Sequence, residues 1–423
     1  MGTAFEIENL VGNLFRHEWG KLVAVLTKLV GPQNLQLAED VAQETLLKAL
    51  DTWKINGLPE NPSAWLFAVA RNKAIDVLRR QKTHQRYAKT ITPLLKSEYT
   101  LSPTVKEIVS DAHIDDDQLK LMFVCCHPHI PAEGQVAVIL KTLCGFSVSE
   151  IAKAFVTNYD TIEKRLYRAR QLLRESNVSF ELPSKNELEQ RLENVLTAIY
   201  LLFNEGYNST HHADLIRKDL VQEAIRLCGL VSRSKLLNTG SAHALLSLMY
   251  FISARTEARL DAEGNILLMK DQDRSKWDRE MIMKAIAELE ASAVSEKLSR
   301  YHIEAGIAFE YAKAEKFEHT NWESILHYYD VLYKIYPSPV IALNRAIVIG
   351  EVHGPANAIA SIESIENIGL LKKYYLLPAT LGELYKKTGD KDKALAYFKE
   401  ALILNQSAAE QKLIQQKIAS LQQ

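Results

Sequence analysis

The chain has few cysteines and almost no excess of charge of either sign. It holds four cysteines in 423 residues, no CxxC pair among them, and its formal net charge is −1. So few cysteines, without a CxxC spacing, indicate a reducing compartment rather than a secreted, disulfide-bonded protein. A net charge near zero excludes a protein that is basic over its whole surface, so any contact with nucleic acid depends on local basic segments.

Targeting signals and strand patterns are also lacking. The start of the chain has no cationic leader followed by an apolar core, and no later stretch is long and apolar enough to span a bilayer. We therefore expect a cytoplasmic protein. Alternating strand patterns are nearly absent while helical patterns run throughout, which predicts an all-α fold.

Residues 147–174 carry the clearest functional pattern. Ser147 with Glu150, and Thr157 with Asp160, have the spacing of N-terminal capping boxes, so two short helices are expected in succession. A buried stripe at helical spacing follows in the second helix, namely Ile162, Leu166, Ala169 and Leu173. The candidate DNA contacts point away from that stripe: Thr161, Lys164, Arg165 and Arg168. This pattern predicts a helix-turn-helix that enters the major groove; the alternative is a helical hairpin with a solvated basic face.

A second basic segment follows Pro62. Seven cations fall close together there with aromatic side chains between them, a composition that suits DNA phosphates and unstacked bases. They are Arg71, Lys73, Arg79, Arg80, Lys82, Arg86 and Lys89. Trp65 is assigned to the core rather than to base stacking.

Three segments together resemble the sigma-70 family of bacterial RNA polymerase sigma factors. They are AEDVAQET at 38–45, WLFAVARN with the following Ile75-Asp76 and Arg79-Arg80, and EIA, TI and RLYRAR between 150 and 170. Their order and spacing within about the first 175 residues resemble the extracytoplasmic-function (ECF) group, in the subgroup with a C-terminal helical-repeat extension. Leu46, where the family usually has an aromatic, and Glu163, an acid on the recognition helix, depart from the pattern.

The resemblance implies a partner for each segment. Asp40, Gln43 and Glu44 would bind the β′ coiled coil of core RNA polymerase, beside Glu39 on the same predicted acidic face. Promoter DNA would be contacted at the minus-ten element by Arg71, Asn72, Arg79 and Arg80, and at the minus-thirty-five element by the helix-turn-helix. An extruded base would meet the loop 54–63, where Asn56, Asn61 and Ser63 are candidates for its hydrogen bonds.

The C-terminal part has a different pattern. Six positions fit a tetratricopeptide repeat, a helical hairpin of about 34 residues: Leu381, Gly382, Tyr385, Ala394, Phe398 and Ala401. Stacked hairpins of this kind bind a protein or peptide, whereas the alternative is a packed helical domain without a partner. The sequence thus predicts five parts, with boundaries 1–90, 91–117 (a linker), 118–180, 181–290 and 291–423.

Two groups of residues suggest a metal ion but have a simpler explanation. The run Cys125-Cys126-His127-Pro128-His129 contains zinc-ligand side chains, yet adjacent cysteines diverge on a helix and fit burial better. Glu205, His211, His212 and Asp214 lack a HExxH-like spacing, and polar residues at helix ends explain the same composition. The polar segment 271–278 resembles a segment typical of the extended sigma subgroup. We therefore predict no metal, no cofactor and no enzymatic reaction.

These patterns lead to two hypotheses. The first is a sigma factor regulated in cis by its extension. The alternative is a free-standing helix-turn-helix regulator with a helical-repeat sensor, which needs no second basic-aromatic unit and usually dimerises on a palindrome.

Overall fold

The structure is a computed structural model that describes residues 18–82, 111–155, 157–176, 178–208, 216–235, 237, 239–294, 297–405 and 407–422. Across these ranges the chain is all-α, as the sequence predicts, with one isolated bridge between Leu260 and Ile266. No helix in these ranges is long and apolar enough to cross a membrane.

The first three helices are α1 (residues 18–30), α2 (Leu35–Asn56) and α3 (Pro62–Lys82). Of these, α2 and α3 pack together, and α1 and α2 end where the sequence has its glycine breaks. Gly31 and Gly57 follow α1 and α2 with φ of 86° and 78°, a left-handed region that glycine adopts without strain. Trp53, 1% exposed, anchors the core between α2 and α3.

Four helices follow: α4 (Asp111–Cys125), α5 (Ala132–Thr142), α6 (Val148–Ala154) and α7 (Tyr159–Glu175). The predicted linker 91–117 is wrong at its C-terminal end, because the acidic run at 115–117 lies within α4. Asp117 is 2% exposed and accepts a hydrogen bond from Lys28 Nζ at 2.8 Å, so this carboxylate is packed and paired rather than solvated. Residues 83–110 lie outside the described residues.

The chain divides into two compact units. The first takes residues up to Gly206 together with Arg217–Leu237, and the second takes Tyr207–Ile216 and the chain from Asn238 onward. Nearly all of α8 (Lys185–Tyr207) and the whole of α9 (Lys218–Ser232) therefore pack with the first seven helices. The sequence predicts a domain boundary at residue 180, ahead of both helices, whereas the first unit of the structure includes them.

The second unit is a succession of helices that pack on their sequence neighbours. They are α10 (Gly240–Ser253), α11 (Arg279–Ser292), α12 (Arg300–Lys313), α13 (Trp322–Ile335), α14 (Pro339–His353), α15 (Pro355–Glu363), α16 (Leu376–Thr388), α17 (Lys391–Leu404) and α18 (Ala408–Gln422).

Small residues let these helices approach closely. A Cβ on Gly382 of α16 would lie 2.8 Å from the Phe398 ring of α17, and one on Gly350 of α14 would lie 3.3 Å from Ala358 Cβ of α15. Phe398 is completely buried, and Gly389, with φ of 87°, makes the turn between α16 and α17. Such contacts suit tetratricopeptide-like hairpins, although the repeat assignment itself stays a prediction.

The polar segment 271–278 has a structural role in the second unit. Arg274 is 8% exposed and donates to the carbonyl oxygens of Tyr311, at 2.7 Å, and Ala314. Its guanidinium also lies 4.9 Å from the ring centre of Trp277. Because these carbonyls belong to the C-terminal end of α12, Arg274 ties the segment to that helix end.

We expect Gly382→Val to destabilise the second unit by about 1–3 kcal/mol, since the added atoms overlap the Phe398 ring. Gly369→Val is the matched control, because a Cβ there meets nothing within 4 Å. Urea denaturation followed by circular dichroism measures both. Equal loss of stability in the two variants would contradict the close α16–α17 contact.

Candidate nucleic-acid and polymerase interfaces

The two helix starts of the predicted helix-turn-helix differ in how they are capped. Ser147 and Glu150 form the predicted capping box, with Ser147 N donating to Glu150 Oε2 at 2.7 Å and Glu150 N to Ser147 Oγ at 3.2 Å. The box predicted at Thr157 is wrong by one residue. Asn158 is the N-cap of α7, and its Oδ1 accepts from Thr161 N at 2.8 Å. Asparagine is the better cap, which explains the shift.

The predicted buried stripe of α7 is confirmed. Its members are each at most 2% exposed: Ile162, Leu166, Ala169 and Leu173. Opposite the stripe, Lys164 and Arg168 are exposed. This arrangement leaves their two cations in water, where a DNA backbone or base edge can reach them.

Arg165 and Thr161 are held by neighbouring groups instead. The guanidinium of Arg165 forms an ion pair with Glu133 of α5 and lies 5.5 Å from the ring centre of Phe155. Thr161 Oγ1 donates to Asn158 Oδ1 at 2.7 Å. Arg165 therefore braces α7 against α5 and the end of α6, and Thr161 belongs to the cap.

Two exposed tyrosines on α7 were missed from the sequence. Tyr159 is 51% exposed and Tyr167 is 68% exposed. Both positions fall outside the helical spacing of the buried stripe, so the sequence pattern is sufficient to predict that they are exposed.

The helix α2 presents the predicted polymerase-binding residues to solvent. Asp40, Gln43 and Glu44 are exposed, and Glu44 pairs with Lys73 of α3 at 3.0 Å. Glu39, which the sequence placed on the same acidic face, is 5% exposed. That placement is wrong, because α5 and α7 cover Glu39.

The basic helix α3 has one packed face and one exposed face. Asn72, Arg79 and Arg80 are exposed and Arg71 is half-buried. Trp65 is half-buried, with its ring centre 5.5 Å from that of Trp53, which agrees with a core role.

The predicted loop 54–63 is wrong at both ends, because α2 continues to Asn56 and α3 begins at Pro62; of the three candidate polar residues only Asn61 lies between the helices. Asn56 is exposed, whereas Asn61 Oδ1 accepts from Ala64 N at 2.9 Å, so Asn61 caps α3. Ser63 is half-buried. Asn56 is thus the best placed of the three to receive a base. Arg86 and Lys89 lie outside the described residues.

The cysteines behave as core residues. Cys125, Cys126, Cys144 and Cys228 are all buried. Burial raises the pKa of the Cys125 and Cys126 thiols, which disfavours the thiolate that zinc binds. Within the described ranges no three acidic, histidine or cysteine side chains are grouped to hold a metal ion. His211, His212 and Asp214 lie outside those ranges.

Comparison with protein families gives three successive matches. Residues 14–84 match the family Sigma-70 region 2, and residues 120–173 match Sigma-70, region 4. Residues 191–293 match a family of unknown function, DUF6596. A region 2 followed by a region 4 defines a transcription initiation factor of the sigma-70 class, with α1–α3 as region 2 and α4–α7 as region 4.

Individual relatives indicate the group within the sigma-70 class to which this chain is similar. The chain is 36% identical over 389 residues to an uncharacterized protein of Rhizobium meliloti, covering 92% of this chain and 91% of that protein. It is 30% identical over 138 residues to the ECF RNA polymerase sigma factor SigL of Mycobacterium tuberculosis, covering 32% and 72%. With RNA polymerase sigma factor SigV of Bacillus subtilis it shares 28% identity over 143 residues, covering 34% and 76%. No solved structure matches. The chain belongs to the ECF sigma factor family.

Substitutions on α7 should separate DNA contact from bracing. We expect Lys164→Ala and Arg168→Ala to weaken binding to a promoter duplex by about 1–3 kcal/mol each if they reach base edges, with an unchanged melting temperature. Arg165→Ala should instead lower the stability of region 4 by about 1 kcal/mol, since it removes an ion pair and a cation–π contact. Fluorescence anisotropy and thermal melts measure the two effects. Native DNA affinity in both exposed-residue variants would contradict this use of α7.

Proposed function

We propose that this protein binds core RNA polymerase through the exposed face of α2 and directs it to promoters that its region 2 and region 4 read. Asp40, Gln43 and Glu44 would contact the β′ coiled coil. In region 4, Lys164 and Arg168 would contact the minus-thirty-five element, with Arg165 and Thr161 holding α7 in position. In region 2, Asn72, Arg79, Arg80 and the half-buried Arg71 would face the minus-ten element, with Asn56 at the extruded base.

The observation that carries this proposal is the presence of two helices with exposed basic faces, α3 and α7, in one chain. Both α3 and α7 bury one face and expose cations on the other, although the chain as a whole has a net charge of −1. Local basic faces on a neutral protein favour contact with DNA at two defined places rather than general adhesion to nucleic acid. Such a factor acts in the cytoplasm beside the polymerase, and it catalyses no reaction itself.

Regulation in cis is supported by the contacts of α8 and α9 with region 4. Arg191 of α8 donates to the Phe123 carbonyl oxygen at 3.0 Å, and Asn194 donates to Gln135 Oε1 at 2.9 Å. Both contacts end inside region 4. The start of the extension, α8, therefore packs directly against region 4.

Two arginines, one at the start of α9 and one in its middle, extend this contact. Arg217, with a side chain 7% exposed, bonds Glu150 Oε1 at 3.1 Å, and Glu150 caps α6 of the helix-turn-helix. Arg226 bonds Gln118 Oε1 at 2.9 Å and Asp115 at 3.4 Å, both in α4. A change in the extension that shifts α9 would thus alter contacts with both α4 and α6 of region 4.

The helical hairpins of the second unit suit a protein or peptide partner. Helices α12 to α17 follow one another as close-packed neighbours, and repeat arrays of this kind offer extended concave surfaces. A partner bound there would supply the signal that the extension passes to region 4.

Reversal of charge on α2 tests polymerase binding. We expect Asp40→Arg with Glu44→Arg to abolish co-purification with core RNA polymerase while helical content by circular dichroism is retained, because both residues are exposed. Glu280→Arg with Glu290→Arg, on exposed acids of α11, is the matched control. Native affinity of the α2 variant for core enzyme would make the assignment of this face wrong, and a regulator without polymerase would become the better hypothesis.

Two truncations test regulation by the extension. A chain ending at residue 237 keeps the first unit's α8 and α9, so we expect it to stay folded and to change run-off transcription relative to the full chain. A chain ending at residue 180 loses the partners of Phe123, Gln135 and Glu150, and we expect it to melt at a lower temperature. Identical transcription by the full chain and the 237-residue chain, at equal protein and under several growth conditions, would speak against control by the second unit.

A further inference from the structure

A group of four side chains lies in the second unit where the end of α10, the segment 271–278 and the end of α12 come together. We call it the cationic cluster, and its members are Arg255, Arg274, Trp277 and Tyr311. Hydrogen bonds hold the three elements in place. Asp278 N donates to the Ala254 carbonyl oxygen at 2.9 Å. Arg274 donates to the Tyr311 carbonyl oxygen at 2.7 Å, so residues far apart in the sequence are fixed beside one another.

Two guanidinium groups of the cationic cluster lie against one indole ring. Arg255 Cζ is 5.5 Å and Arg274 Cζ is 4.9 Å from the ring centre of Trp277, so the two cations are no more than about 10 Å apart. In the described part of the chain neither arginine forms an ion pair, whereas Arg345 of the same unit pairs with Asp330 at 2.6 Å. Like charges at this range repel each other, and here no carboxylate is in contact to offset the repulsion.

Two acids whose charge reaches the cationic cluster do not neutralise it. Burial lowers the pKa of the Arg274 guanidinium, and the positive charge of Arg255 acts in the same direction. Glu318 opposes both effects, but it is exposed and forms no ion pair with Arg274. Glu351 is already paired with Lys387 at 2.6 Å. A buried cation without a counter-charge is costly, so the cluster suits an anion.

The cationic cluster also has hydrogen-bond donors to spare. Arg255 Nε, Arg274 Nη2 and Trp277 Nε1 are buried and have no hydrogen-bond partner among the residues that the structure describes. Tyr311 adds a hydroxyl. Burial raises its pKa to about 12, although both arginines act in the opposite direction, so the hydroxyl stays protonated at neutral pH. Buried donors without acceptors are rare in native proteins, and a ligand with several oxygen acceptors satisfies such a set.

We propose that the cationic cluster is a binding site for a small molecule that carries a phosphate group. The guanidiniums of Arg255 and Arg274 would bind the phosphate oxygens, and Trp277 Nε1 and the Tyr311 hydroxyl would donate to them. This inference goes beyond the proposed function and does not depend on it, because it concerns the second unit alone.

Charge and burial decide the class of ligand. A phosphate monoester carries about −1.5 to −2 at pH 7, which matches two guanidiniums, whereas a single carboxylate leaves one of them without a counter-charge. Trp277 is 3% exposed and Arg274 is 8% exposed, while Arg255 and Tyr311 are half-buried. A small ligand that enters past the half-buried pair reaches all four groups, whereas the surface of a folded protein partner stays outside.

Thermal melts of the full chain test the site with two probes, inorganic phosphate and glycerol 3-phosphate. Acetate at equal ionic strength is the comparison anion. A ligand that binds only the folded protein raises its melting temperature. We expect a saturable rise with both phosphates, together with a change in tryptophan fluorescence, and neither effect with acetate. Tighter binding of glycerol 3-phosphate would identify an organic phosphate as the ligand, and tighter binding of inorganic phosphate would identify the free ion.

Substitutions locate the site. We expect Arg255→Gln to weaken phosphate binding about tenfold to a hundredfold, because it removes one charged donor. Arg345→Gln is the matched control, a half-buried arginine of the same unit that Asp330 already neutralises, and it should bind phosphate with native affinity. Without phosphate, Arg255→Gln should melt no lower than Arg345→Gln, since it relieves repulsion while the control loses an ion pair. Trp277→Phe keeps an aromatic ring without the N–H donor, and it gives a second test if Arg255→Gln folds poorly.

Three results would overturn this inference. One is a rise in melting temperature that acetate reproduces at equal ionic strength. Another is phosphate affinity that is native in Arg255→Gln and Trp277→Phe, or that falls equally in Arg345→Gln. The third is a phosphoserine peptide that binds far more tightly than both small phosphates, since the ligand would then be a modified protein rather than a small molecule.

Discussion

The ion pair between Glu39 and Arg170 decides which charged faces of the first unit remain available to partners. It takes one acid from the face of α2 and one base from α7, and it leaves Asp40, Gln43 and Glu44 on one helix and Lys164 and Arg168 on the other. The two backbones also approach closely beside this pair, since a Cβ on Gly20 would lie 2.4 Å from the Leu143 carbonyl oxygen. Region 2 and region 4 are further joined by the hydrogen bond of Trp19 Nε1 to the Thr142 carbonyl oxygen and by the pair of Lys28 with Asp117.

Features set by local spacing could be predicted from the sequence. The buried stripe of α7, the capping box at Ser147 and the breaks after α1 and α2 each depend on residues within a few positions of one another. Helical periodicity and backbone preference determine such features, whatever the rest of the chain does. The resemblance to sigma factors added the order of the regions, which the comparisons confirmed.

Features set by long-range contact could not be predicted in this way. Glu39 has the same local pattern as Asp40, yet it is buried by a residue 131 positions away. The local sequence pattern does not distinguish Arg165 from Arg168. The contacts of Arg165 with Glu133 and Phe155 come from the tertiary structure. The packing of α8 and α9 on region 4 likewise involves single arginines that bond to residues far away in the sequence. Amino-acid composition does not reveal such partners.

Two ion pairs of opposite sense join region 2 to region 4, Glu39 with Arg170 and Lys28 with Asp117, and they bear on how this protein can change over evolution. A substitution at Lys28 leaves the buried Asp117 without this partner, and a substitution at Glu39 does the same to the half-buried Arg170, so each position constrains the residue opposite it. Exchange of one region with that of a different sigma factor would break both pairs at once. Region 2 and region 4 of this chain should therefore be inherited together as a matched set, and paired changes at positions 28 and 117, or 39 and 170, are the pattern expected among its descendants.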